Sequence, residues 1–201
     1  MVTRFQSYSY SRMVLNHLKK QFIPLLLIFT VLFIGACSTR STDDPEVSLT
    51  DDGFKSVELI NMTIEWRVTQ DTKLEVVATA PTSGWIGIGF SPTGARMSGA
   101  NIIMGYIDDS GNLQIEDRYG SSSTNHSKDS QDDLTNTSGS ETSGSTTIKF
   151  TIPLNSGDSN DRPLTEGAAF TIMAAYGDSG EDNYTAQHNS SKRIRQSIGA
   201  L

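Results

Sequence analysis

From residue 62 onward, the apolar positions recur at every second residue. Ile64, Trp66 and Val68 alternate with polar neighbours, as do Leu74, Val76 and Ala78, then Ile86, Ile88 and Phe90. The pattern resumes at Leu113, Ile115 and Asp117, at Ile148, Phe150 and Ile152, and at Phe170, Ile172 and Ala174. A period of two marks strands with one buried face. Residues 101–107, NIIMGYI, are instead apolar almost throughout, as a central strand covered on both faces would be. Residues 193–198 form a last candidate strand. Turn chemistry separates the segments: Gln70-Asp71, Pro81-Thr82-Ser83-Gly84, and the hairpin composition Asp108-Asp109-Ser110-Gly111-Asn112. No stretch sustains a helical stripe with caps. The expected fold is all-β, an antiparallel β-sandwich of about 8–10 strands.

Two polar stretches interrupt this pattern. Residues 121–145 are almost entirely Ser, Thr, Asn, Asp and Gly, with Leu134 the one sizeable apolar residue. Such a composition cannot bury a core, so a disordered excursion is expected. Its acids could bind calcium, but they lack EF-hand spacing. Residues 177–191 are a shorter polar stretch containing His188.

The N-terminus reads as a targeting segment. Lys19 and Lys20 precede FIPLLLIFTVLFIGAC, a basic start, an apolar run and a small-residue end. The run is barely long enough for a membrane span, which needs about 20 apolar residues. Ile34-Gly35-Ala36-Cys37 resembles the lipobox of bacterial lipoproteins, and Cys37 is the chain's single cysteine. That resemblance implies removal of residues 1–36 as a signal peptide and lipidation of Cys37. Several acyl chains then anchor the protein to the membrane. Met13 would give a signal of more usual length, so residues 1–12 read as an over-long start. Ser38, rather than an aspartate, favours the outer membrane if the cell envelope is Gram-negative. Residues 37–52 read as a polar tether and 53–201 as the folded domain.

Charge narrows the partners. The chain carries 16 basic and 23 acidic residues, net −7. Four of the basic residues and none of the acids fall in 1–36, which leaves 12 against 23, net −11. That argues against nucleic acid, which needs a basic stripe, and suits solubility or docking to a basic partner.

No GxSxG elbow, HExxH or phosphate loop is present, so no enzyme activity is expected. Only His126 and His188 follow the signal, with no cysteine cluster, which makes structural zinc improbable on ligand count. Haem is less demanding: it brings four nitrogens and asks the protein for one or two axial ligands, His/Met being one such pair. Met62, Met104 and Met173 sit in strand patterns and read as core packing. Met97, in TGARMSGAN, is off-pattern: it either tucks over the end of the sandwich or reaches a metal. His188 is either a solvated loop residue or a ligand, and His126 reads as solvated. If the strands before Met97 and before His188 are the fourth and the eighth, an up-down alternation puts both loops at one end.

The run at residues 84–120 resembles the DOMON domain family. The matching features are the GW-x-GIGF strand, the loop methionine followed by Ala100-Asn101, the apolar strand ending in Gly105-Tyr106, and Asp117-Arg118-Tyr119. Where the family often has Ala-Asp, this chain has Ala100-Asn101. The resemblance implies a β-sandwich that binds haem b or a sugar, haem-binding members being exported electron-transfer cytochromes. It implies Met97 and His188 as axial ligands, Met97 by motif and His188 by region. Arg96, Arg118, Lys192 and Arg193 are candidates, by position, for the haem propionates. A separate redox partner protein is then expected. Two alternatives remain at this point. One is a carbohydrate-binding module using Trp85 and Tyr106, with Trp66 expected in the core. The other is a structural or interaction domain with no cofactor.

Overall fold

A computed structural model describes residues 44–201. The expected signal peptide, Cys37 and the start of the tether lie outside the described residues. Two six-stranded sheets stack face to face, and every strand pairing among the described residues is antiparallel. The first sheet runs β1 (Ser48–Leu49), β2 (Lys55–Leu59), β3 (Met62–Val68), β4 (Lys73–Ala80), β10 (Ser145–Pro153), β9 (Thr135–Thr142). The second runs β12 (Arg193–Ile198), β11 (Phe170–Tyr176), β5 (Ile86–Phe90), β6 (Asn101–Ile107), β7 (Leu113–Tyr119), β8 (Ser127–Lys128). No helix among the described residues is long and apolar enough to cross a membrane.

The alternating residues meet between the sheets. Ile64, Trp66, Val76, Ile88, Phe150 and Ile172 belong to one buried cluster. The Trp66 and Phe170 rings meet edge to face at 5.8 Å, which joins the two sheets. Trp66 is therefore a core residue, as its position in the alternation requires.

All eight strands read from the apolar pattern are present, and four more accompany them. β1 lies in the expected tether and pairs with β2, so the folded domain begins before residue 53. The 121–145 segment, expected to be disordered, carries β8 and β9. β9 is exposed along its whole length, so no apolar period could announce it. It is held by its backbone ladder to β10 and by the Thr135 hydroxyl donating to the Thr151 carbonyl at 3.3 Å. An edge strand can be stabilised by main-chain bonds without a buried face, and β-propensity is blind to that.

Phe150 is fully buried at the centre of the sandwich, whereas Leu49 is 73% exposed. Phe150→Ala should cost about 3–5 kcal/mol, lowering Tm by roughly 6–20 °C for a domain of this size. Leu49→Ala should leave Tm within about 2 °C. Equal shifts for the two variants in thermal melts would contradict this packing.

Candidate functional site

β5 explains the site at the level of single residues. Ile86, Ile88 and Phe90 point into the sandwich core. The alternate positions, Gly87 and Gly89, point to the outer face of the second sheet and line a cavity there. Neighbouring strands add Ile102 and Met104 from β6 and Met173 and Ala175 from β11. Trp85, Ala100, Ile102 and Met104 form a second buried apolar cluster on this face. The cavity above it measures about 770 Å³. Met104 and Met173, read from sequence as core, are thus floor residues. A strand buried on both faces has no polar side to betray which apolar residues face the ligand.

Three loops wall the cavity: residues 123–126 supply one stretch, and the loops that carry Met97 and His188 come from opposite ends of the sheet. β5 and β11 are antiparallel neighbours, with Ile86 beside Tyr176 and Phe90 beside Ile172. The loop after β5 therefore leaves at the end where β11 begins. The expectation that both loops share one end is incorrect, because it counted strands without knowing which ones pair. Both loops nevertheless fold back over the outer face, and Met97 and His188 line the same cavity.

The Met97 loop is fastened. Gly99 N–H donates to the Gly120 carbonyl at 2.7 Å, Gly120 N–H to Ala100 at 2.9 Å, and Ala100 N–H to Met97 at 3.0 Å. A Cβ on Gly120 would lie 1.7 Å from the Met97 carbonyl oxygen. Gly99 has φ +70, the left-handed region that glycine reaches without strain. Arg195 Nη1 donates to the carbonyls of Gly94 (2.9 Å) and Arg96 (3.1 Å).

The His188 loop is fastened at its base. Trp85 N–H donates to the Glu181 carbonyl at 3.2 Å and Gly177 N–H to Trp85 at 2.9 Å. A Cβ on Gly84 would lie 2.2 Å from the Asp178 carbonyl oxygen, so the Gly84-Trp85 pair admits close contact with this loop. The indole of Trp85 lies 6.0 Å from the His188 ring, tilted by 58°. His188 Nδ1 is buried without a hydrogen-bond partner. Burial also pushes the His188 pKa below the usual histidine value, which favours the neutral imidazole.

Of the residues proposed for an anionic group, Arg96, Arg118 and Arg193 line the cavity. Lys192 does not: it pairs with Asp178 and covers the Tyr176 ring at 5.3 Å. Arg195 joins the lining and was not named from sequence, although it stands two residues beyond Arg193 on β12 and so shares its face. Among the described residues, no aspartate or glutamate lines the cavity, so four arginines face it in a chain that is acidic overall.

His126 also lines the cavity and is half-buried, where sequence suggested a solvated residue. Its Nδ1 accepts a hydrogen bond from Arg118 Nε at 2.8 Å, and Arg118 pairs with Glu116. Burial and the Arg118 charge lower the His126 pKa. The two aromatic residues considered for a sugar platform are not open. Trp85 is 3% exposed, and Tyr106 packs on Tyr184 with ring centroids 5.1 Å apart.

Fold and site together define a β-sandwich with a basic, apolar-floored ligand cavity outside its second sheet. Residues 60–177 match the DOMON domain model, and the chain belongs to the DOMON domain family. It is similar to human DBH-like monooxygenase protein 1, with 32% identity over 111 residues, covering 55% of this chain and 18% of that protein. The mouse protein of the same name is 27% identical over 172 residues, 86% of this chain and 27% of its own length. The chain thus spans about a quarter or less of these relatives. Among solved structures, the cytochrome b domain of pyranose dehydrogenase from Coprinopsis cinerea superposes with TM-score 0.57 at 14% identity, over 77% of this chain and 87% of that one. The cytochrome domain of Myriococcum thermophilum cellobiose dehydrogenase gives 0.52 at 11%, over 80% and 90%. At these identities the likeness establishes the sandwich fold.

Gly120→Ala should test the fastening of the Met97 loop. The added methyl has no space, so a loss of about 1–3 kcal/mol is expected. Backbone amide exchange at residues 93–100 should accelerate with it. Unchanged exchange there would mean that Gly120 does not hold the loop.

Proposed function

We propose that this domain binds haem b on the outer face of the second sheet, between Met97 and His188, and passes single electrons. The observation that carries the reading is the composition of one cavity: a soft thioether, a neutral imidazole with an orphaned buried nitrogen, an apolar floor and four arginines. Haem is a flat apolar macrocycle with two carboxylates at one edge, and each of these features answers part of it. Bound haem would supply the one-electron couple.

The chain's own residues have separable tasks. Met97 and His188 would hold the iron through thioether and imidazole, and the hydrogen bonds that fasten their loops limit how far those two side chains can move. A thioether opposite an imidazole raises the reduction potential relative to two histidines. Gly87 and Gly89 keep the floor flat, and a methyl group at Gly89 would sit 2.5 Å from Met173 Cε. Arg96 and Arg193 are exposed and suited to propionates. Arg118 is already committed to Glu116 and His126, so it acts as a fixed positive charge in the wall. The sugar reading is less well supported, because the described lining lacks carboxylates, Trp85 is buried, and Tyr106, outside the lining, packs on Tyr184.

The protein purified after haem-replete expression should show a Soret band. His188→Ala should lose haem, and Met97→Ala should shift the spectrum and lower the potential. Absence of a Soret band would reject the reading, and glycan binding would then become the leading test.

We also propose that Cys37 is acylated and holds the domain at the cell envelope, with a separate protein as electron partner. The Ile34-Gly35-Ala36-Cys37 motif supports this. Cys37→Ser should abolish labelling by a fatty-acid probe and move the protein from the membrane to the soluble fraction. Unchanged fractionation would refute anchoring through Cys37.

A further inference from the structure

β7 turns a charged residue to each of its sides. Arg118 is paired with Ile102 and faces the cavity, while Asp117 is paired with Ile103 and faces the interior. Asp117 is 2% exposed. Its Oδ2 accepts the Asp133 N–H at 3.1 Å, and its main-chain carbonyl accepts the Asp129 N–H at 2.9 Å. One carboxylate oxygen each from Asp117, Asp133 and Asp161 lie within 4.8 Å of one another. Asp129 adjoins them, bridged by Asn160 Nδ2 at 3.1 Å to its Oδ1. The Ser156 hydroxyl donates to Asp161 Oδ2 at 2.7 Å.

The donors run out before the acceptors do. Asp117 Oδ1, Asp129 Oδ2 and Asp161 Oδ1 are buried with no hydrogen-bond partner. Asp117, Asp129 and Asp161 are each more than nine-tenths buried. No ion pair among the described residues involves any of the four aspartates. Uncompensated buried carboxylates are costly, so either protons or a cation must neutralise them. Without a cation, burial foremost, with the charges of Asp161, Asp129 and Asp132, pushes Asp117 up to about 7. Burial, together with Asp133 and Asp129, pushes Asp161 up to about 6.

We propose that Asp117, Asp133 and Asp161, flanked by Asp129, form a calcium site that staples the 129–133 segment and the β10–β11 connection to β7. The donor set is all oxygen and strongly anionic, as a hard cation requires. Ligands on opposite sides of calcium stand roughly 4.6–5.2 Å apart, which the spacing accommodates; magnesium demands a tighter, near-ideal octahedron. The three contributing segments are loops and a strand end, which can adjust to an irregular coordination shell. The staple accounts for the order of a segment whose composition is that of a disordered one. It is independent of the haem reading, since Asp117 lies on the other side of β7 from the cavity.

The test uses the purified protein stripped with EDTA. Titration with calcium chloride should show one saturable site, and Tm should rise by roughly 5–10 °C at free calcium one hundred times Kd. Raised carboxyl pKa values mean that the folded state keeps protons the unfolded state has released. The cluster's own contribution to calcium-free stability should therefore fall as pH rises from about 4 towards 7, and calcium at pH 8 should offset that loss. Asp117→Asn and Asp161→Asn should each abolish the calcium response while folding in calcium-free buffer. Calcium should also slow protease cleavage within residues 121–145 of the unmutated protein, a readout that needs no variant. The proposal is overturned by no saturable binding and no protection at millimolar calcium. It is equally overturned by a response that survives Asp117→Asn, or by an equal response to magnesium.

Discussion

The centre of the second sheet, β5, β6 and β11, is apolar on both faces, and the first sheet covers only one of them. That constraint organises the rest of the molecule. β5 and β6 are buried along nearly their whole length, although the sandwich has no third sheet. Their outer face is covered by the loops that fold over it and by whatever fills the 770 Å³ between them. A bare apolar face of that kind marks a ligand surface. The glycines of GW-x-GIGF follow from the same demand: on a strand with two buried sides, residues without side chains make room on the side where another molecule must approach.

The same constraint decides what was legible in the sequence. Core-facing residues announce themselves by alternation, so eight strands could be read; β2, whose Val57 and Leu59 also enter the core, was missed because only two of its five residues are buried. The apolar run at 101–107 correctly marked a strand covered twice, but it could not say by what. Met97 was conspicuous because it is a large apolar residue in a polar loop. Arg195 was missed although alternation puts it on the face of Arg193, and Lys192, its near neighbour in sequence, is aimed elsewhere by a 3-10 turn at Ser190–Lys192. The shared-end argument for Met97 and His188 failed because it lacked the strand pairing. The two side chains do reach one cavity, but by folding inward from opposite ends. His126 and β9 were missed for a third reason: the hydrogen bonds that order them, from Arg118 to His126 and along the β9–β10 ladder, leave no apolar pattern in the sequence.

The charge distribution then makes sense as a separation across one strand. Antiparallel residues directly opposite one another share a face, so the register of β7 on β6 sends Arg118 outward with Ile102 and Asp117 inward with Ile103. Arginines collect on the outer face, against an overall excess of acid, and aspartates collect on the inner one. A one-residue slip of β7 would exchange them. It would place a buried arginine among core isoleucines and an aspartate at the wall of a basic cavity, and both placements carry desolvation costs without partners. The Asp117-Arg118 pair therefore ties the register of β7 to both sites at once. A cation on the inner side would fix that register further, because its other ligands come from segments that do not belong to the ladder. The wall of the cavity would then owe its position in part to an ion that never touches it.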